Sequence, residues 1–125
     1  AARAAGAGGP LRSVLQTLQL PAKPRTRTGE PAPSATLPFN VTVGRVGDVA
    51  IVGLGGEVGN EIGAAIKAAS PFPCTIVITH CNGAAGYLMP EHYYAEGGYE
   101  PETSPFTAAA AAQVSAEVGR LLREL

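Results

Sequence analysis

Two apolar runs with a helical repeat between them leave this chain few ways to fold. Val49-Ala-Ile-Val-Gly-Leu54 and Thr75-Ile-Val-Ile-Thr79 are β-branched or apolar at nearly every position. Such runs read as strands buried on both faces, unlike the alternating pattern of a half-exposed strand. Between them Val58, Ile62, Ala65, Ile66 and Ala69 recur at helical spacing, and Ser70-Pro71-Phe72-Pro73 stops that helix. Phe39-Asn-Val-Thr-Val-Gly44 does alternate, and Gly47-Asp48 stands where a hairpin would join it to the next strand. At the end, Val114, Val118, Leu121, Leu122 and Leu125 form one stripe, with Ser104-Pro105 as a helix start.

The first 37 residues read differently. Ala1 to Pro10 is Ala/Gly low complexity. Leu11, Val14, Leu15 and Leu18 predict one short helix, ended by Pro21, and the Pro- and Thr-rich stretch to Pro38 predicts a linker. The expectation is therefore a low-complexity, Pro-rich segment over 1–37 and a folded unit over 38–125. The fold class is α/β, a partial sheet of about three strands with flanking helices. So few elements cannot cover two strands buried on both faces, which predicts that this is a fragment of a larger α/β domain.

Composition removes several functions. Residues 1–37 carry Arg3, Arg12, Lys23, Arg25 and Arg27 against Glu30 alone, while the net charge of the 125 residues is −1. Five cations diluted among Ala, Gly and Pro, with no interleaved aromatics, make no nucleic-acid surface. No apolar run approaches the roughly 20 residues of a transmembrane helix. Cys74 and Cys81 flank one strand, which would separate them by roughly 23 Å, too far for a disulfide. They leave the compartment unspecified.

The chemistry-bearing residues follow the apolar runs. Gly53-Leu-Gly-Gly-Glu57-Val-Gly59 lies between a strand and a helix. It can serve a phosphate at a helix N-terminus, although its glycine spacing departs from the dinucleotide pattern and Glu57 opposes an anion. Alternatively Glu57 is itself the working group, as metal ligand or base, or simply stabilises the first helical turn. His80-Cys81-Asn82 follows the next strand, where ligands of α/β sheets sit. His80 and Cys81 are each a possible metal ligand, but neighbours on an extended chain point to opposite faces and would not grip one ion together, and the structural reading of both is favoured. His80 through Thr103 is long for a structureless connection and holds all four tyrosines, Tyr87, Tyr93, Tyr94 and Tyr99. His92, between Glu91 and Tyr93, reads as a surface residue.

Taken in order, Gly47-Asp48 through Glu57, Ser70-Pro71-Phe72-Pro73, Asn82-Gly83 to Gly86-Tyr87-Leu88, and Gly97-Gly98-Tyr99-Glu100 resemble the neutral/alkaline, non-lysosomal ceramidases from about Asp48 onward. The resemblance implies the C-terminal part of a zinc amidohydrolase that cleaves ceramide, or another N-acyl amide, to sphingosine and fatty acid. It implies zinc as cofactor, with Glu57 and Tyr87 as metal ligands and Tyr99 as the catalytic donor to the substrate carbonyl oxygen. The remainder of the catalytic domain would supply two histidine ligands, so the fragment alone is expected to be inactive. The resemblance also suggests a secreted or membrane-associated protein. The chain departs from the family at Ala84, where a further tyrosine is common, and at His80-Cys81, where small or apolar residues stand. A phosphate-binding module built on the Gly53–Gly59 turn and a non-catalytic relative are the alternatives.

Overall fold

The computed structural model describes residues 9–24 and 35–125. The expected low-complexity start and the centre of the expected linker lie outside the described residues. The elements run β1 (Leu11–Ala22), β2 (Ala35–Val46), β3 (Val49–Leu54), β4 (Glu57–Val58), α1 (Asn60–Ala69), β5 (Cys74–Ile78), β6 (Tyr87–Leu88), α2 (Glu91–Glu96), α3 (Tyr99–Thr103) and α4 (Ala110–Glu124). The chain is α/β, with a four-stranded sheet ordered β1-β2-β3-β5 and a two-stranded sheet of β4 and β6.

The expected helix at 11–20 is a strand. β1 pairs antiparallel with β2 over twelve positions, from Leu11 opposite Val46 to Ala22 opposite Ala35. Leu11, Val14, Leu15 and Leu18 satisfy a helical period, but the long-range ladder outweighs that local pattern. Pro21 does not end the element, because β1 is an edge strand and can spare an amide. β2 likewise begins at Ala35, before the expected start at Phe39. The expected boundary after residue 37 therefore falls inside the sheet.

From Val41 onward β2 also pairs antiparallel with β3, joined through Gly47-Asp48 with Gly47 at φ 58°. A left-handed φ favours glycine there. β5 then pairs parallel with β3, Val49 beside Cys74 and Gly53 beside Ile78. Parallel neighbours need a crossover, and α1 supplies it. It starts at Asn60, two residues later than the spacing predicts, because Val58 is drawn into β4.

Helices cover one face of the large sheet. Phe39, Val41 and Val43 of β2 and Ala50, Val52 and Leu54 of β3 meet Ile62 and Ile66 of α1 and Val114, Val118, Leu121 and Leu122 of α4. Phe39 and Phe106 pack edge to face with centroids 5.8 Å apart. The other face differs from the expectation of burial on both sides. Leu11, Leu15, Val46, Ile76 and Ile78 are exposed there, Leu11 at 78% and Leu15 at 58%. No described residue covers them.

The long segment after β5 is structured. It contains β6, α2 and α3, and Ser104 caps the end of α3 instead of starting the last helix, which begins at Ala110. Ser104 is 98% removed from solvent (2% exposed) and serves as a hub. Its Oγ donates to the Tyr87 carbonyl at 2.6 Å and accepts the Phe106 amide at 3.1 Å. The Tyr94 hydroxyl lies 3.1 Å from that Oγ and 3.0 Å from the Phe106 carbonyl. β1 grips the same segment, since Lys23 N–H donates to the Pro105 carbonyl and Thr107 N–H to that of Pro21. Both cysteines are free, and no helix among the described residues is long and apolar enough to cross a membrane.

His92 of α2 is clasped to α1. Its Nδ1 lies 2.8 Å from Glu96 and its Nε2 2.8 Å from Glu61, which also accepts the Tyr93 hydroxyl at 3.1 Å. Hydrogen bonds to Glu96 and then Glu61 raise the His92 pKa above its ordinary 6.5. Those from His92 and then Tyr93 lower that of Glu61 below its ordinary 4.5.

Two predictions follow from the packing and the clasp. Phe106→Ala should lower unfolding free energy by about 3–5 kcal/mol, and Leu15→Ala by no more than about 0.5 kcal/mol, in denaturant titrations. Equal losses would place the core wrongly. A raised His92 pKa gives stability that is complete below its unfolded value and lost as pH rises through the folded one; a lowered Glu61 pKa gives stability that is lost as pH falls. The melting temperature of the wild type should therefore exceed that of His92→Asn most at about pH 5–6, and the gap should close by about pH 9. A gap that does not vary with pH would rule the clasp out.

Candidate active site

Because β3 and β5 run parallel, their carboxyl ends open at one edge of the sheet, the usual ligand position in α/β folds. The chain leaving β3 supplies Glu57 and the chain leaving β5 supplies His80. Backbone hydrogen bonds then zip the two exits together. The amides of Glu57 and Gly59 donate to the carbonyls of Gly86 and Leu88, each at 3.0 Å. Those of His80, Cys81 and Ala85 donate back to Gly56, Leu54 and Gly55 at 2.9–3.0 Å.

Two glycines make this approach possible. A Cβ on Gly56 would stand 2.6 Å from the Gly86 carbonyl oxygen, and one on Gly83 would stand 2.9 Å from that of Gly55. These are backbone obstacles that no side-chain rotation relieves. A polar relay braces the same loop from the sheet: Thr17 Oγ1 donates to Asn40 Oδ1, Asn40 Nδ2 to the Asn82 carbonyl, and Asn82 Nδ2 to Thr42 Oγ1, at 2.7–2.9 Å.

The zipper brings the residues singled out from sequence together. Glu57 and Tyr87 are register partners in the parallel β4–β6 pair. The Tyr99 ring meets that of Tyr87 edge to face, centroids 6.0 Å apart. Glu57 is the largest cause of a raised Tyr87 pKa, followed by loss of water around the phenol and the neighbouring Tyr99 and Glu100. His80 Nε2 lies 3.6 Å from Glu57 Oε2, with both side chains 54% exposed. A carboxylate, an imidazole and two phenols thus share one half-open corner. Carboxylate and imidazole are common zinc donors and phenolate a less common one, so the set suits that ion. Among the described residues, no group of three His, Cys, Asp or Glu side chains could hold a metal.

Other expectations resolve differently. Glu57 does not stabilise a first helical turn, since it sits in β4 and Glu61 occupies that place in α1. The amides of Gly55, Glu57 and Gly59 are bonded to the carbonyls of Asn40, Gly86 and Leu88, which takes them from any phosphate. Tyr93 and Tyr94 belong to the clasp and the Ser104 hub, while His92 is exposed as expected and also part of the clasp. The bracing roles of Asn40 and Ser104 were not foreseen: Asn40 reads only as a strand residue and Ser104 only as a helix start. The four-residue step from His92 to Glu96 could have been read as a helical pair.

No protein-family model matches the sequence, and no curated protein matches it. Solved structures do match the fold. The neutral ceramidase from Pseudomonas aeruginosa superposes with a TM-score of 0.68 at 16% identity, over 94% of this chain and 29% of that one. A ceramidase complexed with C2 superposes with a TM-score of 0.55 at 22% identity, over 72% of this chain and 15% of that one. The first match reaches beyond the segment from Asp48 onward and takes in part of the N-terminal third. This chain spans less than a third of either structure's length, and across that span it has the fold of a part of neutral ceramidase.

Proposed function

We propose that this chain is the part of a ceramidase-like zinc amidohydrolase that contributes Glu57 and Tyr87 to the metal and Tyr99 to the substrate. The observation that carries the reading is the register pairing of Glu57 with Tyr87 at the shared end of β3 and β5, with Tyr99 against Tyr87. These three residues lie in separate sequence motifs and converge on one corner. The fold likeness to neutral ceramidase supports the same reading.

The substrate class is an N-acyl amide, ceramide in the first instance. Hydrolysis breaks the amide C–N bond; water's oxygen goes to the acyl carbon and a proton to the departing amine. When bound, zinc supplies water of lowered pKa and polarisation of a carbonyl. Glu57 provides an anionic oxygen anchored through its own amide to Gly86. The Glu57 carboxylate raises the Tyr87 phenol pKa, and a bound divalent cation would offset that opposition to its phenolate. Tyr99 is 67% exposed, free to donate its hydroxyl proton to a carbonyl oxygen on which negative charge develops. The two further histidine ligands come from the remainder of the catalytic domain.

The test is zinc content by elemental analysis and ceramide hydrolysis in the full-length protein. Glu57→Ala should lose both the zinc and the activity. Tyr99→Phe should keep the zinc and lower kcat by about 10²–10³-fold, the scale for removing one such donor. Zinc and turnover retained in Glu57→Ala would end this reading.

A further inference from the structure

Tyr87 and Tyr99 share a support in Ser104. Among the described residues Ser104 is the one buried polar residue. A hydroxyl so placed has to be bonded, and it has one proton to give. The Phe106 amide can only donate and the Tyr87 carbonyl can only accept, so the proton goes to Tyr87, at 2.6 Å. Phe106 is buried against Phe39, which fixes Ser104 to the core.

The zipper leaves the Tyr87 carbonyl without a partner on β4. Successive carbonyls of a strand point to opposite sides. Those of Gly86 and Leu88 face β4 and accept the amides of Glu57 and Gly59. That of Tyr87 faces away, where Ser104 meets it. β6 has two residues, too few to hold their place through one pairing, and Ser104 closes its second side. The same residue ends α3: its amide donates to the Glu100 carbonyl at 2.9 Å, next in the chain to Tyr99. The hydroxyl and the amide of Ser104 thus tie Tyr87 and the helix carrying Tyr99 to one point, and the two rings meet edge to face.

We infer that Ser104 is a positioning residue that sets the Tyr87 phenol relative to the Tyr99 hydroxyl, and so the proposed metal ligand relative to the proposed donor to the substrate carbonyl. This rests on the reading of the site as a zinc centre and extends it to a residue outside the ligands and the substrate contacts. The Ser104 side chain is engaged with Tyr87, Phe106 and Tyr94, so it acts through a main-chain carbonyl and a helix end. Partners that orient a metal ligand are worth about 10–100-fold in metal affinity or activity.

The test uses the full-length protein, with zinc affinity measured by competition with a chelating dye and kcat measured on ceramide. Melting curves establish that each variant folds. Ser104→Ala removes the bond to Tyr87 and should weaken zinc binding and lower kcat, each about 10–100-fold. Ser104→Cys, close in size with only a weak donor, carries the same test where the alanine variant does not fold. Tyr94→Phe is the control: it removes a hydroxyl from the same cluster, leaves the bond to Tyr87 in place, and should lower the melting temperature with both readouts unchanged. In a double-mutant cycle Tyr99→Phe should cost less kcat in Ser104→Ala than in the wild type, because the donor is already misplaced. Unchanged zinc affinity and kcat in folded Ser104→Ala, with zinc lost in Glu57→Ala, would overturn the role of Ser104 and leave the zinc centre standing. Equal losses in Ser104→Ala and Tyr94→Phe would make Ser104 a residue of stability alone and overturn its positioning role, and an additive cycle would overturn its link to Tyr99. No zinc binding by the wild type would overturn both the zinc centre and the role of Ser104.

Discussion

Backbone amides on the two chains leaving β3 and β5 donate to each other's carbonyls across a gap only glycine can enter. Everything at the candidate site depends on this zipper. Glu57 would otherwise hang on a loop between a strand and a helix. Tyr87 would lie in a connection with no reason to return to the sheet. Buried amides have to be bonded, and the exits of β3 and β5 satisfy that requirement on each other. The pairing fixes Glu57 opposite Tyr87 and uses the glycine-rich turn for adhesion between segments, in place of anion binding.

The sheet carrying this corner is covered unevenly. Burying each valine, leucine, isoleucine or phenylalanine of this core contributes on the order of 1.5–3 kcal/mol, and fourteen side chains do so. On the opposite face the same strands present Leu11, Leu15, Val46, Ile76 and Ile78 to solvent. Register puts Leu11, Val46, Val49 and Cys74 in one row across all four strands, so the apolar character is continuous. Contiguous exposed apolar surface of this kind marks a place where other protein packs. The proposed zinc site, with two histidine ligands from outside this chain, agrees with that, as does a chain spanning 29% of the ceramidase it superposes on.

Local pattern was enough to find the centre of the fold. β3, β5, the stop of α1 at Ser70 and the stripe of α4 are written in short-range hydrophobicity and in Pro and Gly placement. What failed depends on distant partners. Leu11 to Leu20 fits a helical period, and only twelve pairings, with partners 13 to 35 residues further along the chain, make it β. Ser104 has the composition of a helix start, but its hydroxyl is claimed by Tyr87, Tyr94 and Phe106. Glu57, Tyr87 and Tyr99 were legible as separate motifs, and their convergence needed the parallel β4–β6 pair. The approach of His80 to Glu57 was hidden, because two left-handed residues redirect a chain that sequence can only treat as extended.

The segment read as a linker turns out to support the residue proposed to meet the substrate. α3, which carries Tyr99 at its start, is five residues long and cannot be stable alone. Its carboxyl end is held by Lys23, at the end of β1, whose ammonium donates to the carbonyls of Pro101 and Glu102 at 2.5 and 3.1 Å. A cation at that end also complements the helix dipole. The Lys23 ammonium lies 5.4 Å from the Tyr94 ring centroid, which links the same contact to the Ser104 hub and so to the carbonyl of Tyr87. Tyr87 and Tyr99 are therefore positioned from two directions, by the zipper at the sheet edge and by β1 through Lys23. The orientation of Tyr99 toward the corner thus depends on an edge strand that the family resemblance, which begins near Asp48, does not include.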